Sequence, residues 1–299
     1  MNRPPPAHRP PAHRPLAYRH VDVFAPRPYT GNSLAVFADS DGLDARQMLT
    51  ITQELRHFET VFLMPTDEPG RFGARIFDLF EELPFAGHPL IGAAAALHAA
   101  GDHADHAEWT FDLVHKSVTV ATTRTAAGFF GLLNQGAAEF LGDVADRDVV
   151  AAAFGIGPDD LDETLPLAVV STGLSYLIVP VRPGVLECAR IGVDISQLVR
   201  SFGAQFAVLL DEAALEVRHW NNDGVVEDVA TGSAAGTIGA YRLRHCGAVS
   251  GQSFTLNQGR FAGRPSQLTV QPWDDGDQVS VKVGGDVAIV GRGWLEALP

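Results

Sequence analysis

The stretch VVEDVATGSAAG, residues 225–236, joins a β-branched run and two acids to a segment of small residues that starts at a glycine. β-Branched residues favour a strand and the alanine-rich run that follows favours a helix, so the stretch predicts a strand that turns into a helix. Ser233 is predicted to cap this helix and Gly247 to stop it. Asp228 and Gly232 would then lie on the turn, where free backbone N–H groups and the helix dipole suit a carboxylate or phosphate.

A second stretch, ELPFAGHPLIG at residues 82–92, has the same construction and is followed by alanines up to Gly101. Aligning the two stretches pairs Glu82 with Glu227, Gly87 with Gly232 and His88 with Ser233. The glycines predicted to stop the two helices fall 13 and 14 residues beyond the last of these pairs. The pattern predicts an internal repeat, in which two similar halves aim their helix N-termini into one cleft. Two unrelated helices that each start at a glycine are the alternative.

The two stretches resemble the signatures of the PhzF isomerase family of phenazine biosynthesis. Three further segments agree with that family in the same order: GNSLAV at 31–36, HFETVF at 57–62 and QGRFAGRPS at 258–266. Together the segments span most of the chain after residue 17. The resemblance implies an α+β fold of the diaminopimelate-epimerase type, with two similar pseudo-symmetric lobes and the active site in the cleft between them.

The chain is predicted to divide into a tail, residues 1–17, and two lobes, residues 18–125 and 126–285, with the last strand, about 286–299, returning to the first lobe. The tail is rich in proline and arginine, has no acid and is expected to be extended and disordered. It lacks the apolar core of a secretory signal. We expect a dispensable tail or an upstream start codon; an arm that binds a partner or nucleic acid is the alternative.

Residue patterns give a coarse secondary structure for the rest of the chain. Strands are predicted at 18–24, 34–37, 60–64, 75–79, 109–113, 117–122, 167–170, 175–181, 206–210, 216–220, 253–256, 268–270, 279–283 and 286–293. Helices are predicted at 43–55, 88–100, 149–154, 195–202 and 233–244, and a loop at about 129–148. Glu59 would lie at a junction between a helix and a strand.

The composition is that of a globular protein, because 46% of the 299 residues are hydrophobic and 19% are charged. The net charge is −14, and the arginines in residues 1–20 supply four positive charges, so residues 21–299 carry −18. Such a body would repel nucleic acid. The longest apolar region, Leu90 to Leu97, is too short to cross a membrane. Two distant cysteines outside all motifs exclude a disulfide framework and fit a cytoplasmic protein.

Glu59 is the candidate general acid/base. A carboxylate flanked by Phe58 and Phe62 would be partly desolvated, which suits a group that takes and returns a proton. A solvent-facing glutamate is the alternative from the residues alone, and the resemblance favours the base because the family's catalytic glutamate falls on Glu59. Phe58 departs from the serine that relatives commonly carry there, which changes the hydrogen-bond environment expected for the base.

His88 is the second catalytic candidate. It precedes Pro89, which is predicted to take the first helical position, so His88 would be a cap-like residue exposed at the mouth of the helix. Its imidazole can donate or relay protons near neutral pH, and a histidine that merely caps the helix is the alternative. No metal is expected, because no His-x-x-x-His or Cys-x-x-Cys pattern nearby supplies further ligands.

By resemblance, Asp228 orients the substrate's amine or hydroxyl and assists catalysis; a charge that only stabilises the helix start is its alternative role. The residues expected to bind substrate are Gly87, Gly232, Ser233, Asn32 and Gln258. Ser233 is not expected to be a covalent nucleophile, because its surroundings lack the glycine spacing of a nucleophile elbow. Gln258 and Arg264 are expected to line or brace the cleft. The segment WNND at 220–223 replaces the Phe and Pro that relatives often carry, which would change the substrate if it lines the pocket.

The resemblance implies a cofactor-free isomerase of a small, cyclic, unsaturated amino acid in antibiotic biosynthesis, such as trans-2,3-dihydro-3-hydroxyanthranilate isomerase. In that reaction Glu59 would move a proton between two ring carbons while His88 and Asp228 assist. We expect a small anionic amino-acid-like substrate, a homodimer, and no flavin, nicotinamide, pyridoxal phosphate or metal. An isomerase of alkylproline precursors, an amino-acid epimerase and a non-catalytic binding protein are the alternatives. The epimerase is disfavoured because two-base epimerases of this fold carry cysteines where this chain has His88 and Ser233.

Overall fold

Both repeat stretches form the same unit in the computed structural model, which describes residues 15–299. Each is a two-residue strand followed by a 14-residue helix. The elements of the first half are β1 (Leu16–Val23), β2 (Asn32–Phe37), α1 (Ala45–Leu55), β3 (Glu59–Pro65), β4 (Arg71–Phe77), β5 (Glu82–Leu83), α2 (Gly87–Ala100), β6 (His106–Asp112), β7 (Ser117–Thr125) and β8 (Gly128–Ala137). Those of the second half are β9 (Glu139–Val144), α3 (Arg147–Ala153), β10 (Leu167–Ser171), β11 (Ser175–Pro180), α4 (Ser196–Ser201), β12 (Phe206–Asp211), β13 (Glu216–Trp220), β14 (Glu227–Asp228), α5 (Gly232–His245), β15 (Phe254–Gln258), β16 (Ser266–Asp274) and β17 (Val279–Leu295).

The strands of the two halves pair in the same way. In the first half β2 runs parallel to β3, β3 is antiparallel to β4, and β4 pairs with both β5 and β6. In the second half β11, β12, β13, β14 and β15 repeat these four relations. The internal repeat predicted from 82–92 and 225–236 is therefore a repeat of whole half-structures.

The strand registers extend the alignment to residues outside the two stretches. Val61 lies opposite Ile76 in the first half, as Val208 lies opposite His219 in the second. Matching the ladders pairs Leu34 with Tyr176, Glu59 with Phe206, Ile76 with His219 and Leu83 with Asp228. Each of these four residues in one half therefore has an identified counterpart in the other half.

The last strand joins the halves. β17 is antiparallel to β16 over Val279–Gly284 and to β1 over Val287–Leu295, and β8 pairs with β7 on one side and with β17 on the other. Because β8 and β17 each pair with strands of both halves, no single position separates the ladders. The division into lobes at residue 126 stays a prediction.

The apolar core follows the repeat. Helices α2 and α5 share one large buried cluster with the inner faces of both halves. The outer face of the second half forms a separate cluster around α3 and α4, and that of the first half forms a small one with α1. The two repeat helices therefore lie inside the molecule, with their N-termini near the candidate catalytic and substrate-binding residues.

Two predictions about secondary structure were wrong. The expected loop at about 129–148 contains β8, β9 and the start of α3, and its glycines allow close packing: a side chain at Gly131 would collide with Ile91 of α2. The strands expected at 279–283 and 286–293 are one strand, since Gly284 and Gly285 continue it where the backbone of Gly131 passes close by.

The predicted tail lies outside the described residues up to residue 14, and its last two residues, Leu16 and Ala17, already belong to β1. None of the helices within residues 15–299 is long and apolar enough to cross a membrane.

Candidate active site

Both repeat helices begin one residue earlier than the sequence predicted. The N-caps are Ala86 and Thr231, and neither makes a side-chain hydrogen bond to its helix. Ser233 is therefore not a cap, and His88 is not an exposed one: both occupy the second helical position, and His88 is only 6% exposed. The first N–H groups of each helix lack a side-chain cap, which leaves them to bind an anionic group of a ligand.

Glu59 and His88 face each other at the start of β3. The sequence predicted this position for Glu59, at a junction between a helix and a strand. Oε2 of Glu59 lies 3.0 Å from Nε2 of His88, with side-chain exposures of 20% and 6%. The two atoms are not aligned for a hydrogen bond, and neither has a hydrogen-bond partner among residues 15–299. Buried polar atoms are nearly always satisfied, so an unsatisfied pair marks a place where a ligand's polar atoms fit.

The charge state of His88 follows from its neighbours. Burial alone would lower the pKa of His88, but the charges of Glu59 and Asp228 and the contact with Glu59 together raise it above its usual value. This raised pKa favours the imidazolium form of His88. It can stabilise negative charge or give up a proton.

This raised pKa predicts a dependence of stability on pH. The folded pKa of His88 lies above the unfolded value of 6.5, so its pairing stabilises the fold fully below pH 6.5 and is lost as the pH rises through the folded pKa. We expect the free energy of unfolding of the wild type to exceed that of His88→Asn by more at about pH 6 than at about pH 9. Urea titrations of both proteins at the two pH values measure this. An equal difference at both pH values would mean that folding does not raise the pKa of His88.

Asp228 is held rigidly on the turn between β14 and α5. Its Oδ2 accepts a hydrogen bond from the Thr231 hydroxyl at 2.6 Å, and its Oδ1 accepts from the Ala230 N–H at 3.2 Å and the Asn32 amide at 3.3 Å. Asn32 belongs to β2 of the first half, so this contact brings the two predicted segments together. The charge of Asp228 also acts on His88. The prediction that both turns share one cleft fits these contacts.

Gln258 and Arg264 brace this arrangement. The amide of Gln258 donates to the Asp228 backbone carbonyl and to the Thr231 hydroxyl, both at 2.9 Å, and accepts from the Thr231 N–H. Gln258 is buried, and both of its N–H groups bond to the protein. Its side chain therefore holds the turn in position, whereas the sequence predicted that Gln258 contacts the substrate. Arg264 donates to Asp22 and to backbone carbonyls just before Asn32.

Comparison with known proteins agrees with this geometry. The family model described as phenazine biosynthesis-like protein (PhzC-PhzF) matches residues 21–293. The chain belongs to this family. The trans-2,3-dihydro-3-hydroxyanthranilate isomerase of Pseudomonas chlororaphis is 31% identical over 284 residues, covering 92% of this chain and 97% of the relative. The chain is an isomerase of the PhzF type.

Solved structures show the same likeness. A protein from Pseudomonas aeruginosa described as a predicted epimerase is 47% identical, with a TM-score of 0.88 over 94% of this chain and 99% of that one. A PhzF-family phenazine biosynthesis protein from Bacillus anthracis has a TM-score of 0.83 over 95% of this chain and 99% of that one, but only 23% identity, which shows the fold alone. The fold is the α+β fold of the diaminopimelate-epimerase type that the sequence predicted.

Two residues of the site were missed by the sequence analysis of this PhzF-type isomerase. The hydroxyl of Tyr176 shares a hydrogen bond of 2.8 Å with that of Ser233, and the ring of His219 packs edge-on against Tyr176 at 5.5 Å between centroids. Both side chains are buried on the face of the sheet that packs on α5. Their repeat partners are Leu34 and Ile76, so a comparison of the two halves strand by strand would have marked them as polar exceptions.

Two expectations about the surroundings of the site were wrong. Phe62 points away from Glu59 and packs against Phe37 and Phe77 on the other face of the sheet, because side chains alternate along a strand. Trp220 likewise faces away from the cleft and packs on Phe154, while its neighbour His219 faces inward. Trp220, the first of the four residues that differ from those of relatives, therefore lies on the outer face of the sheet.

Proposed function

We propose that this PhzF-type isomerase moves a proton between two carbons of a small, cyclic, unsaturated amino acid without a cofactor, with trans-2,3-dihydro-3-hydroxyanthranilate as the first substrate to test. The buried, unaligned pair of Glu59 and His88 supports this most directly. It offers a carboxylate that can accept a proton and an imidazolium that can stabilise the resulting charge. Both atoms lack another partner within residues 15–299, so polar atoms of a substrate can bind beside them.

The asymmetry of the repeat favours a single base. The partner of Glu59 in the second half is Phe206, and the partner of His88 is Ser233. A racemase or epimerase that works with two bases needs an acid/base group on each side of the substrate carbon. Both cysteines, at 188 and 246, lie outside the repeat helix starts. One base on one side suits a proton that leaves and returns on the same face of the substrate.

The steps follow from this arrangement. The Glu59 carboxylate takes a proton from a ring carbon next to the double bond, and the electron pair of that C–H bond moves into the conjugated system toward the substrate's carboxylate. The imidazolium of His88 and the N–H groups at the helix starts stabilise the charge that develops. The protonated Glu59 then returns the proton to the far carbon of the system, which shifts the double bond and regenerates the carboxylate.

The test uses the full chain and proton NMR in D2O. We expect conversion of trans-2,3-dihydro-3-hydroxyanthranilate with deuterium appearing at the newly protonated ring carbon. A cyclic alkylproline-type precursor with a double bond beside its carboxylate is the second substrate to test. If both are inert while the α-carbon of a proline-type amino acid inverts and exchanges, the protein is an epimerase. If no cyclic amino acid reacts but one binds, it is a binding protein.

We also propose that the reaction needs no prosthetic group. Among residues 15–299 no cluster of three or more His, Cys, Asp or Glu could hold a metal ion. The purified protein should therefore show no absorbance above about 300 nm beyond its aromatic side chains, and treatment with a chelator should leave turnover unchanged. A bound chromophore, or activity restored by one metal after chelation, would contradict this proposal.

The remaining expectations stay proposals of the same kind. We propose a homodimer and a role in the biosynthesis of an antibiotic from the family resemblance, and a cytoplasmic location from the two distant cysteines. The mass of the protein in solution by light scattering tests the dimer.

A further inference from the structure

His219 carries a hydrogen-bond acceptor that nothing in the protein uses. Its Nδ1 lies 2.9 Å from the carbonyl oxygen of Ala207 and must donate to it, because a carbonyl can only accept. Burial lowers the pKa of His219 despite the nearby charge of Asp228, so the ring is neutral. Its Nε2 then holds a lone pair that forms no hydrogen bond with residues 15–299, and although the residue is only 5% exposed, this atom is not one of the fully buried ones, so a ligand can reach it.

The acceptor faces the candidate active site. His219 lies directly opposite Asp228 in the antiparallel pair of β13 and β14, so their side chains share one face at a separation of about 5 Å between Cβ atoms. That face also carries Tyr176, whose hydroxyl reaches Ser233 at the start of α5. The neighbours on the other face, Arg218 and Trp220, point into a separate part of the core.

The fold itself does not require a polar group here. The repeat partners of Tyr176, His219 and Asp228 are Leu34, Ile76 and Leu83, and the first two of these are fully buried apolar residues. Removing most of an imidazole from water costs free energy that an isoleucine at the same place does not cost. A group that destabilises the fold and faces the active site is best explained by a contact with the ligand.

The local charge selects which ligand group makes that contact. Asp228 is a carboxylate, His219 is a neutral acceptor, and the carbonyl oxygen of the Asn32 side chain, beside Asp228, is buried without a partner. Acceptors and negative charge together favour a cation that donates hydrogen bonds. The ammonium group of an amino acid has this chemistry, and its carboxylate suits the uncapped helix starts nearby.

We propose that His219 is a specificity-determining residue, whose Nε2 accepts a hydrogen bond from the substrate's ammonium group beside Asp228. This inference rests on the proposed function for the place of the substrate, and it adds the group by which an amino acid is distinguished from a simple carboxylic acid. His219 touches no reacting carbon in this arrangement, so it governs binding and leaves the proton transfer to Glu59.

The experiment compares two unreactive probes by calorimetry: 2-aminocyclohexanecarboxylate and cyclohexanecarboxylate, which differ only in the amine. The wild type should bind the amino acid about 10- to 100-fold more tightly, the range of a hydrogen bond to a charged group. His219→Phe should lose most of this preference and keep the affinity for cyclohexanecarboxylate. His219→Gln, whose amide oxygen can take the place of Nε2, should keep most of the preference.

Thermal unfolding shows whether each variant is folded, and the affinity for cyclohexanecarboxylate shows whether either variant has lost binding for a structural reason. A wild type without preference for the amino acid, or a folded His219→Phe that retains it, would overturn the proposal. So would an equal loss for both probes, which indicates a structural role. The result is separable from the isomerase proposal, because neither probe reacts and binding is measured without turnover.

Discussion

Replacing Glu59 with glutamine should lower turnover by about three orders of magnitude or more, the effect expected when the only base is lost. Shifting a double bond requires removal of a weakly acidic C–H proton, and in this site one carboxylate of one half can do it. Glutamine is nearly isosteric but cannot accept the proton. Rates of product formation, and of deuterium uptake from D2O, should fall together, while the affinity for substrate stays close to that of the wild type.

Two variants serve as controls for this prediction. Glu54→Gln removes an exposed carboxylate from α1 and should leave turnover unchanged. His88→Asn removes the imidazolium that only assists, so it should cost less than the loss of Glu59. If Glu59→Gln turns over at nearly the wild-type rate while His88→Asn is inactive, the base is His88 and the roles proposed for the pair are reversed.

The sequence predicted the parts of the site that lie on the repeat stretches. Glycine, the small residues after it and the acids before it fix a strand, a turn and a helix locally, so Asp228 and the helix starts could be placed from the sequence. Glu59 was placed at a junction between a helix and a strand, because the helical spacing of residues 43–55 gives way to a strand-like run at 60–64. The details of the caps were wrong because Ala86 and Thr231 start the helices without a side-chain cap, a choice that the local sequence does not signal.

What the sequence did not predict depends on contacts between distant strands. Whether Phe62 or Trp220 faces the cleft is decided by which face of each strand packs on α2 and α5, and both residues turned out to face outward. Tyr176 was missed because it stands among apolar residues in a strand that reads as core, and His219 because it is one of several polar residues in its strand, EVRHW. Only the register between strands shows that they meet Asp228 and Ser233.

The repeat also predicts that the same substitution at equivalent arginines of the two halves lowers stability by different amounts. In each half an arginine holds the glutamate of the repeat stretch through two hydrogen bonds: Arg218 with Glu227, and Arg75 with Glu82. The first pair is buried, with exposures of 8% and 13%, whereas the second has 27% and 31%. Arg218 also donates to two backbone carbonyls and lies 4.3 Å from the ring centre of Trp220.

Arg218→Met should therefore lower the free energy of unfolding by about 3–5 kcal/mol, because it leaves a buried carboxylate unpaired next to Asp228. Arg75→Met should cost about 1 kcal/mol or less, since water can reach its partner. Urea denaturation of both variants measures the difference. Adding Glu227→Met to Arg218→Met should recover part of the loss, because the unpaired charge disappears. If the two single variants lose the same stability, burial does not set the strength of these pairs, and if the double variant recovers nothing, the loss comes from the packing of the Arg218 side chain against Trp220 and its neighbours.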